Sequence, residues 1–351
     1  MPAVSISNKH NMKDLIKSGL RPIIATVIKP LWMWIPRSVY IGTSPVRLLL
    51  AITRKCNANC VFCAYQFVRK EDKAHMSDSM FELVLERIRQ ARIKQVMLSP
   101  NIGEPLIAPN FIKKMEHLRA VGVEHIELTT NALFLHHIGL HEMLIDGPDK
   151  MNISFAGFDK EMYERDYRVR HYERTRDNIL ELLRLNKKLD TKREISLWIR
   201  GDLPVETLLA APEMAEVFQL ANEVGRMTEV DNWLGLITED ILPKGYILQR
   251  AAPRITQRPC MLLWNLTVHP DGDIQLCSCR NIFGDPDLHI GNIKEMTLLE
   301  AHSQIEQVLV RWESRSVPTA CKTCSMYCDP ANGLVGRWRE IRREGHKRHA
   351  E

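Results

Sequence analysis

Short apolar runs recur between residue 46 and about residue 235, and longer stretches of helical period separate them. The runs predict strands at Arg47–Thr53, Gln95–Ser99, His125–Thr129, Lys150–Phe155 and Glu194–Ile199, with a weaker one at Glu229–Trp233. The intervening periodicity predicts helices over Asp78–Ile93, Asn110–Val121, Tyr172–Lys188 and Leu203–Val224. Strands spaced by helices imply βαβ units and a parallel sheet. Six units fall short of the eight in a full barrel. In such α/β architectures ligands gather at the carboxyl ends of the strands.

The pattern changes at both ends. Residues 1–45 mix Lys13, Lys17, Arg21, Lys29 and Arg37 with Ile23, Ile24, Trp32 and Trp34. Such an extension is either an interfacial segment making peripheral membrane contact or a cap on the main domain. The stretch from Pro22 to Pro36 is interrupted by Lys29 and Pro30, and reads neither as a membrane span nor as a signal peptide. Residues 236–330 carry a hairpin and most of the cysteines. Residues 331–351 read as a basic helix with Trp338 and Ile341 on its surface.

Composition adds little until the cysteines are counted. The chain has 351 residues, 45% of them hydrophobic, which suits a globular domain with an appendage. A net charge of +5 does not by itself call for nucleic acid. The nine cysteines fall in two groups, Cys56 to Cys63 and Cys260 to Cys328. In a chain this long, that distribution points to metal binding in a reducing, cytoplasmic setting.

The first group is Cys56-Asn-Ala-Asn-Cys60-Val-Phe-Cys63, directly after the first predicted strand. Three thiolates at this spacing can hold three irons of a 4Fe–4S cubane and leave the fourth open, whereas simple clusters take four cysteines. A zinc site or three buried thiols would be the alternative, although zinc favours paired C-x2-C units. The motif resembles that of radical S-adenosylmethionine (SAM) enzymes. The resemblance implies a partial (β/α)6 barrel. It also implies a cluster whose open iron chelates SAM and whose electron cleaves it to methionine and a 5′-deoxyadenosyl radical. It further implies an external electron donor such as flavodoxin or ferredoxin.

Other strand ends fit the resemblance. Phe62 corresponds to the aromatic that packs near the adenine. Gly103, Glu104 and Pro105 resemble the family's G-G-E-P element, with Ile102 in place of the first glycine. Thr130-Asn131-Ala132 resembles T-N-G. Ser154 resembles the serine of S-L-D-G, whose aspartate is Ala156 here. Arg200 follows the fifth strand and could pair with the SAM carboxylate. Between the fourth and fifth strands lies a run with Arg165, Arg168, Arg170, Arg174 and Arg176. It reads either as a site for an anionic substrate or as a solvated helix face balanced by Glu161, Glu164, Asp166 and Glu173.

In the second group, Cys260 and Cys277 bracket a predicted hairpin, Leu266–His269 and Asp273–Leu276, around Pro270-Asp271-Gly272. Cys321-Lys-Thr-Cys324 and Cys328 follow. This closely resembles the auxiliary-cluster element of the SPASM and twitch subgroup. A zinc ribbon of Cys277, Cys279, Cys321 and Cys324 is the alternative. A full SPASM module needs more than the six cysteines of this region, so the resemblance implies one auxiliary 4Fe–4S cluster on Cys260, Cys277, Cys321 and Cys324. Cys279 and Cys328 remain as substitute ligands or as catalytic thiol hydrogen donors.

The expected activity is oxidation of a carbinol in a sugar or aminocyclitol, with the auxiliary cluster taking an electron. The small-molecule substrate is expected to be sugar-like or anionic. Radical epimerisation of the same class through a cysteine thiol is the alternative, and a peptide- or lipid-directed maturase is a third reading. No nucleic-acid partner is expected, because no RNA-binding module accompanies the basic tail.

Overall fold

The computed structural model describes residues 4–5, 45–98, 102–251, 259–277, 282 and 284–328. Asn101, Cys279, most of the N-terminal extension and the basic tail lie outside the described residues.

Six parallel strands form the body of the sheet: β1 (Arg47–Leu50), β2 (Gln95–Leu98), β3 (His125–Thr130), β4 (Lys150–Phe155), β5 (Glu194–Arg200) and β6 (Glu223–Met227). They lie side by side in chain order, the arrangement of an unclosed (β/α)6 barrel. Helices cross between them, including α1 (Asp78–Ala91), α2 (Phe111–Ala120), α3 (Lys160–Tyr167) and α4 (Tyr172–Leu189). Ser77 caps α1 by accepting from the Met80 amide.

Burial alternates strictly along β3 and β4. Ile126, Leu128, Met151, Ile153 and Phe155 point to the helix-covered side and are fully buried. On the opposite face the register aligns Glu127 with Lys150, Asn152 with the buried Ser196, and Ser154 with Trp198. That face is polar. Asn152 Nδ2 donates to Glu127 Oε1 at 2.7 Å, and the Trp198 indole donates to Asn152 Oδ1 at 3.3 Å. A closed barrel fills its interior with branched apolar side chains; here the inner wall carries polar ones. Gly225, opposite Trp198, leaves room for the indole, since a Cβ there would lie 2.2 Å from the ring.

Two sequence expectations need correction. The predicted helix over Leu203–Val224 is split and shortened into Val205–Leu209 and Pro212–Leu220, with Pro212 opening the second piece. The sixth barrel strand is Glu223–Met227, not Glu229–Trp233. Glu229–Val230 pairs only with Ile247–Leu248, and Trp233 begins a 3-10 turn.

The hairpin is β7 (Leu266–Val268) and β8 (Asp273–Leu276), followed by β9 (His289–Asn292). β7 pairs in parallel with β1, so the hairpin extends the barrel sheet rather than standing apart. Val4–Ser5 pairs antiparallel with β6 at the other edge. Helices α5 (Leu298–Ser303) and α6 (Ile305–Glu313) cover this C-terminal part, and Thr297 closes a capping box on α5.

Candidate functional site

The loop after β1 carries Cys56, Cys60 and Cys63. Its backbone is tied down on three sides. Asn59 and Val61 amides donate to the Tyr167 and Asp166 carbonyls at the end of α3, at 3.2 and 2.8 Å. The Tyr65 hydroxyl meets the Cys56 amide and carbonyl at 3.1 and 3.2 Å. Glu104 N donates to the Lys55 carbonyl at 2.8 Å. The three thiols lie within electrostatic reach of one another. Burial, then Glu104 and Cys63, push Cys56 up to about 12; burial, then Cys63 and Cys56, likewise raise Cys60 well above the usual thiol range, and Arg200 opposes this. Three soft donors in one half-buried loop suit a cationic, thiophilic centre that keeps them ionised, which is what an iron–sulfur cluster provides.

The residues singled out at the strand ends come together around this loop. Gly103 has φ +102°, and a Cβ there would sit 2.5 Å from the Thr53 carbonyl. The adjoining Glu104 is 2% exposed and accepts from Thr130 Oγ1 at 2.7 Å, Asn131 N at 2.8 Å and Leu106 N at 3.2 Å. Burial outweighs these bonds and lifts its carboxyl to about 7. Pro105 opens a 3-10 turn, Pro105–Ile107. Asn131 Nδ2 donates to Asn57 at 2.8 Å and faces Cys56 Sγ at 3.9 Å. On the far side, Arg200 Nε donates to Ser154 Oγ at 2.9 Å, and its guanidinium lies 5.3 Å over the Phe62 ring.

Four participants escaped the sequence reading. The Tyr167 hydroxyl bonds Ser154 at 2.9 Å, and its ring packs edge-on to Phe62 at 5.5 Å. Tyr65 was a visible signal, two residues after Cys63. Tyr246 donates to the fully buried Asp166 at 2.5 Å, and Arg165 pairs with the same carboxylate at 2.6 Å. The indole of Trp233 donates to the Phe62 carbonyl at 3.0 Å.

The second thiol group is linked by hydrogen bonds and electrostatic coupling. The Cys328 amide donates to Cys260 Sγ at 3.3 Å, and Met261 N donates to the Cys328 carbonyl at 3.0 Å. The Cys328 thiol, burial and then Cys277 raise Cys260; burial, Cys277 and then Cys324 raise Cys321. Electrostatic coupling thus links the four expected auxiliary ligands pairwise: Cys277 acts on Cys260 and on Cys321, Cys324 acts on Cys321, and Cys328 stands against Cys260. A soft, sulfur-only donor set of this kind suits an iron–sulfur cluster as well.

A short clasp connects the two groups. Asn232 donates to Ser325 Oγ at 3.0 Å and to the Thr323 carbonyl at 2.9 Å, on either side of Cys324. Ser325 Oγ donates to Asp231 at 2.9 Å. The next residue, Trp233, reaches Phe62 beside Cys63. Trp233 and Leu234 hold φ of 47° and 60°, costly for bulky residues and sustained here by these contacts.

The fold and its paired thiol sets define a radical SAM enzyme. The family comparisons agree: the Radical SAM superfamily model matches residues 50–199, and the SPASM iron-sulfur cluster-binding domain matches residues 260–325. These domains imply a SAM-binding 4Fe–4S cluster, SAM itself and auxiliary iron–sulfur ligation. A probable GTP 3′,8-cyclase of Methanothermobacter marburgensis is 28% identical over 272 residues, covering 67% of this chain and 85% of that protein. Among solved structures, Streptococcus suis SuiB bound to precursor peptide SuiA aligns with a TM-score of 0.56 at 12% identity, over 93% of this chain and 80% of that one. BtrN in complex with AdoMet and 2-DOIA aligns at 0.51 and 14% identity, over 80% of this chain and 92% of that one. At such identities the two structures establish a shared fold. No helix among the described residues is long and apolar enough to cross a membrane.

Proposed function

We propose that the protein is a radical SAM oxidoreductase that converts a carbinol of a sugar or aminocyclitol to a ketone. The observation that carries this reading is the second thiol constellation, joined to the SAM-cluster loop by hydrogen bonds through Asn232 and Trp233. When bound, SAM with its cluster supplies a hydrogen-abstracting adenosyl radical, and the auxiliary cluster supplies a one-electron acceptor. This chain's residues do the rest. Cys56, Cys60 and Cys63 hold the first cluster. Cys260, Cys277, Cys321 and Cys324 hold the second. Glu104, with Gly103, Pro105 and Asn131, receives the SAM ammonium; Ser154 and Arg200 receive its carboxylate or ribose; Phe62 lies against the adenine. The polar inner wall of Glu127, Asn152 and Trp198 offers acceptors, donors and an aromatic face to a hydroxylated ring.

The test is incubation of anaerobically reconstituted protein with SAM, reductant and a panel of sugars and aminocyclitols in deuterated water. A product two mass units lighter, with no deuterium on carbon, is expected. A product of unchanged connectivity carrying one carbon-bound deuterium identifies the epimerase instead, because an exchangeable thiol would have returned the hydrogen. The half-buried Cys328 thiol, set against Cys260, is the observation that keeps epimerisation as the second reading. A peptide-directed reading draws on the fold shared with SuiB, and modification of peptides but of no small molecule in the panel would select it.

A further inference from the structure

The arginine run between β4 and β5 divides into committed and uncommitted members. Arg165 is committed to Asp166 and Asp202, and Arg176 to Asp177. Arg168 donates to Gln66 at 3.1 Å, and the Gln66 amide donates to the Val61 and Cys63 carbonyls, both at 3.1 Å. The start of the run is thereby fixed against the cluster loop. Exposed Arg170 and Arg174 have no ion pair among the described residues. Arg174 Nη1 instead faces His136 Nε2 at 3.5 Å.

His136 and His137 lie on the short helix Leu135–Ile138 that follows β3 and Asn131. Their rings are 4.0 Å apart, and Phe134 stacks on His137 at 4.3 Å. His171, at the start of α4, acts electrostatically on His136 as well. The two elements are locked together, since Asn178 of α4 donates to the Ala132 carbonyl at 3.1 Å. Nearby carboxylates are already engaged: Glu173 with Lys160 at 2.6 Å, and Asp177 with Arg176. Three imidazoles and the Arg174 guanidinium therefore share one rim of the barrel mouth, on the carboxyl-end side where the cluster loop lies, without an acidic partner among the described residues.

We propose that His136, His137, His171 and Arg174 form a binding site for the phosphoryl group of a small-molecule substrate. This deepens the carbinol-oxidation reading by naming an anionic handle on the substrate. A phosphoryl dianion matches the site better than a carboxylate does. It brings nearly two charges and three acceptor oxygens, enough for a guanidinium fork and several imidazoles together. Burial, then His137 and Arg174, hold His136 below the ordinary histidine range, with His171 adding to the effect. A bound dianion reverses that balance, so binding takes up protons and strengthens as the pH falls towards the histidine range.

The probe is inorganic phosphate added to the reconstituted full chain, with melting temperature followed at constant ionic strength against potassium chloride. A saturable rise is expected, stronger at about pH 6.5 than at about pH 8. In a His136→Gln/Arg174→Gln variant the midpoint should move by about tenfold or more, the loss of one or two charge-assisted bonds. Arg184→Gln, which removes the exposed Arg184–Glu216 pair, should leave the midpoint unchanged. Glucose 1-phosphate should show the same dependence on His136 and Arg174. No saturable rise beyond chloride, or equal midpoints in wild type and double variant, would overturn the site. Since this measurement needs no turnover, its failure leaves the oxidation reading standing, and failure of the oxidation assay leaves the phosphate site standing.

Discussion

Gly103 has the tightest backbone approach of the SAM end. Its φ of +102° and the 2.5 Å between a notional Cβ and the Thr53 carbonyl leave no room for alanine. Gly103→Ala should cost about 1–3 kcal/mol and weaken SAM binding, read by chemical denaturation and by SAM titration. Arg200 serves two neighbours at once, the Ser154 hydroxyl and the Phe62 face. Lysine retains the charge but lacks the planar fork, so Arg200→Lys should lower SAM affinity by about tenfold while leaving iron content intact. His269, 2% exposed, sets a pH dependence of stability. Burial, then Arg54, depress its imidazole to about 4. The unfolded chain takes a proton near pH ~6.5 that the folded chain refuses, so this contribution is fully present above that pH and fades as the pH falls towards 4. It amounts to about 3 kcal/mol, and His269→Gln should flatten the acid limb of the stability curve by that much. A curve unchanged in the variant would remove His269 as its source.

At the scale of elements, the cluster loop is held by the end of α3. Asp166 is fully buried there, and it joins Arg165, Tyr246 and, through its carbonyl, the Val61 amide. Asp166→Asn should cost about 1–3 kcal/mol, because a fully buried carboxylate loses its charge-assisted bonds to the exposed Arg165 guanidinium and the Tyr246 hydroxyl. It should also release iron from the barrel loop faster under chelation than from the C-terminal thiols. Most elements were legible in the sequence, and the misses have reasons. β1 and β2 are apolar runs and β3 to β5 alternate apolar with polar residues, all with clear ends. β6 is less clear, since Val224-Gly225-Arg226-Met227 is only weakly apolar, and its glycine is explained by Trp198 across the sheet. The cysteines and strand-end residues were visible because spacing along the chain reports them. Trp233, Tyr246 and Tyr167 were not, because their roles arise from contacts with residues remote in the sequence. The arginine run needed the structure to separate committed from uncommitted members.

For the whole molecule, the expectation is two independent iron centres. Anaerobic reconstitution should give about eight irons, falling to about four when Cys56, Cys60 and Cys63 are replaced by alanine, and likewise for Cys260, Cys277, Cys321 and Cys324. Four irons with one zinc would make the C-terminal centre structural and remove the electron exit. The hairpin bearing Cys277 is bonded edge to edge with β1, the strand that launches Cys56; Val268 lies beside Leu50, and the Ala51 amide reaches the Val268 carbonyl at 2.9 Å. With the Asn232–Trp233 clasp closing the other side, the two cysteine-bearing loops are mounted on one hydrogen-bonded frame, like two electrodes set in a single block. With clusters bound in both loops, such a frame would hold their separation, and with it the tunnelling rate between them, nearly fixed. A transplanted C-terminal module from a relative would keep that rate only if it brought both the β7 edge and the clasp with it.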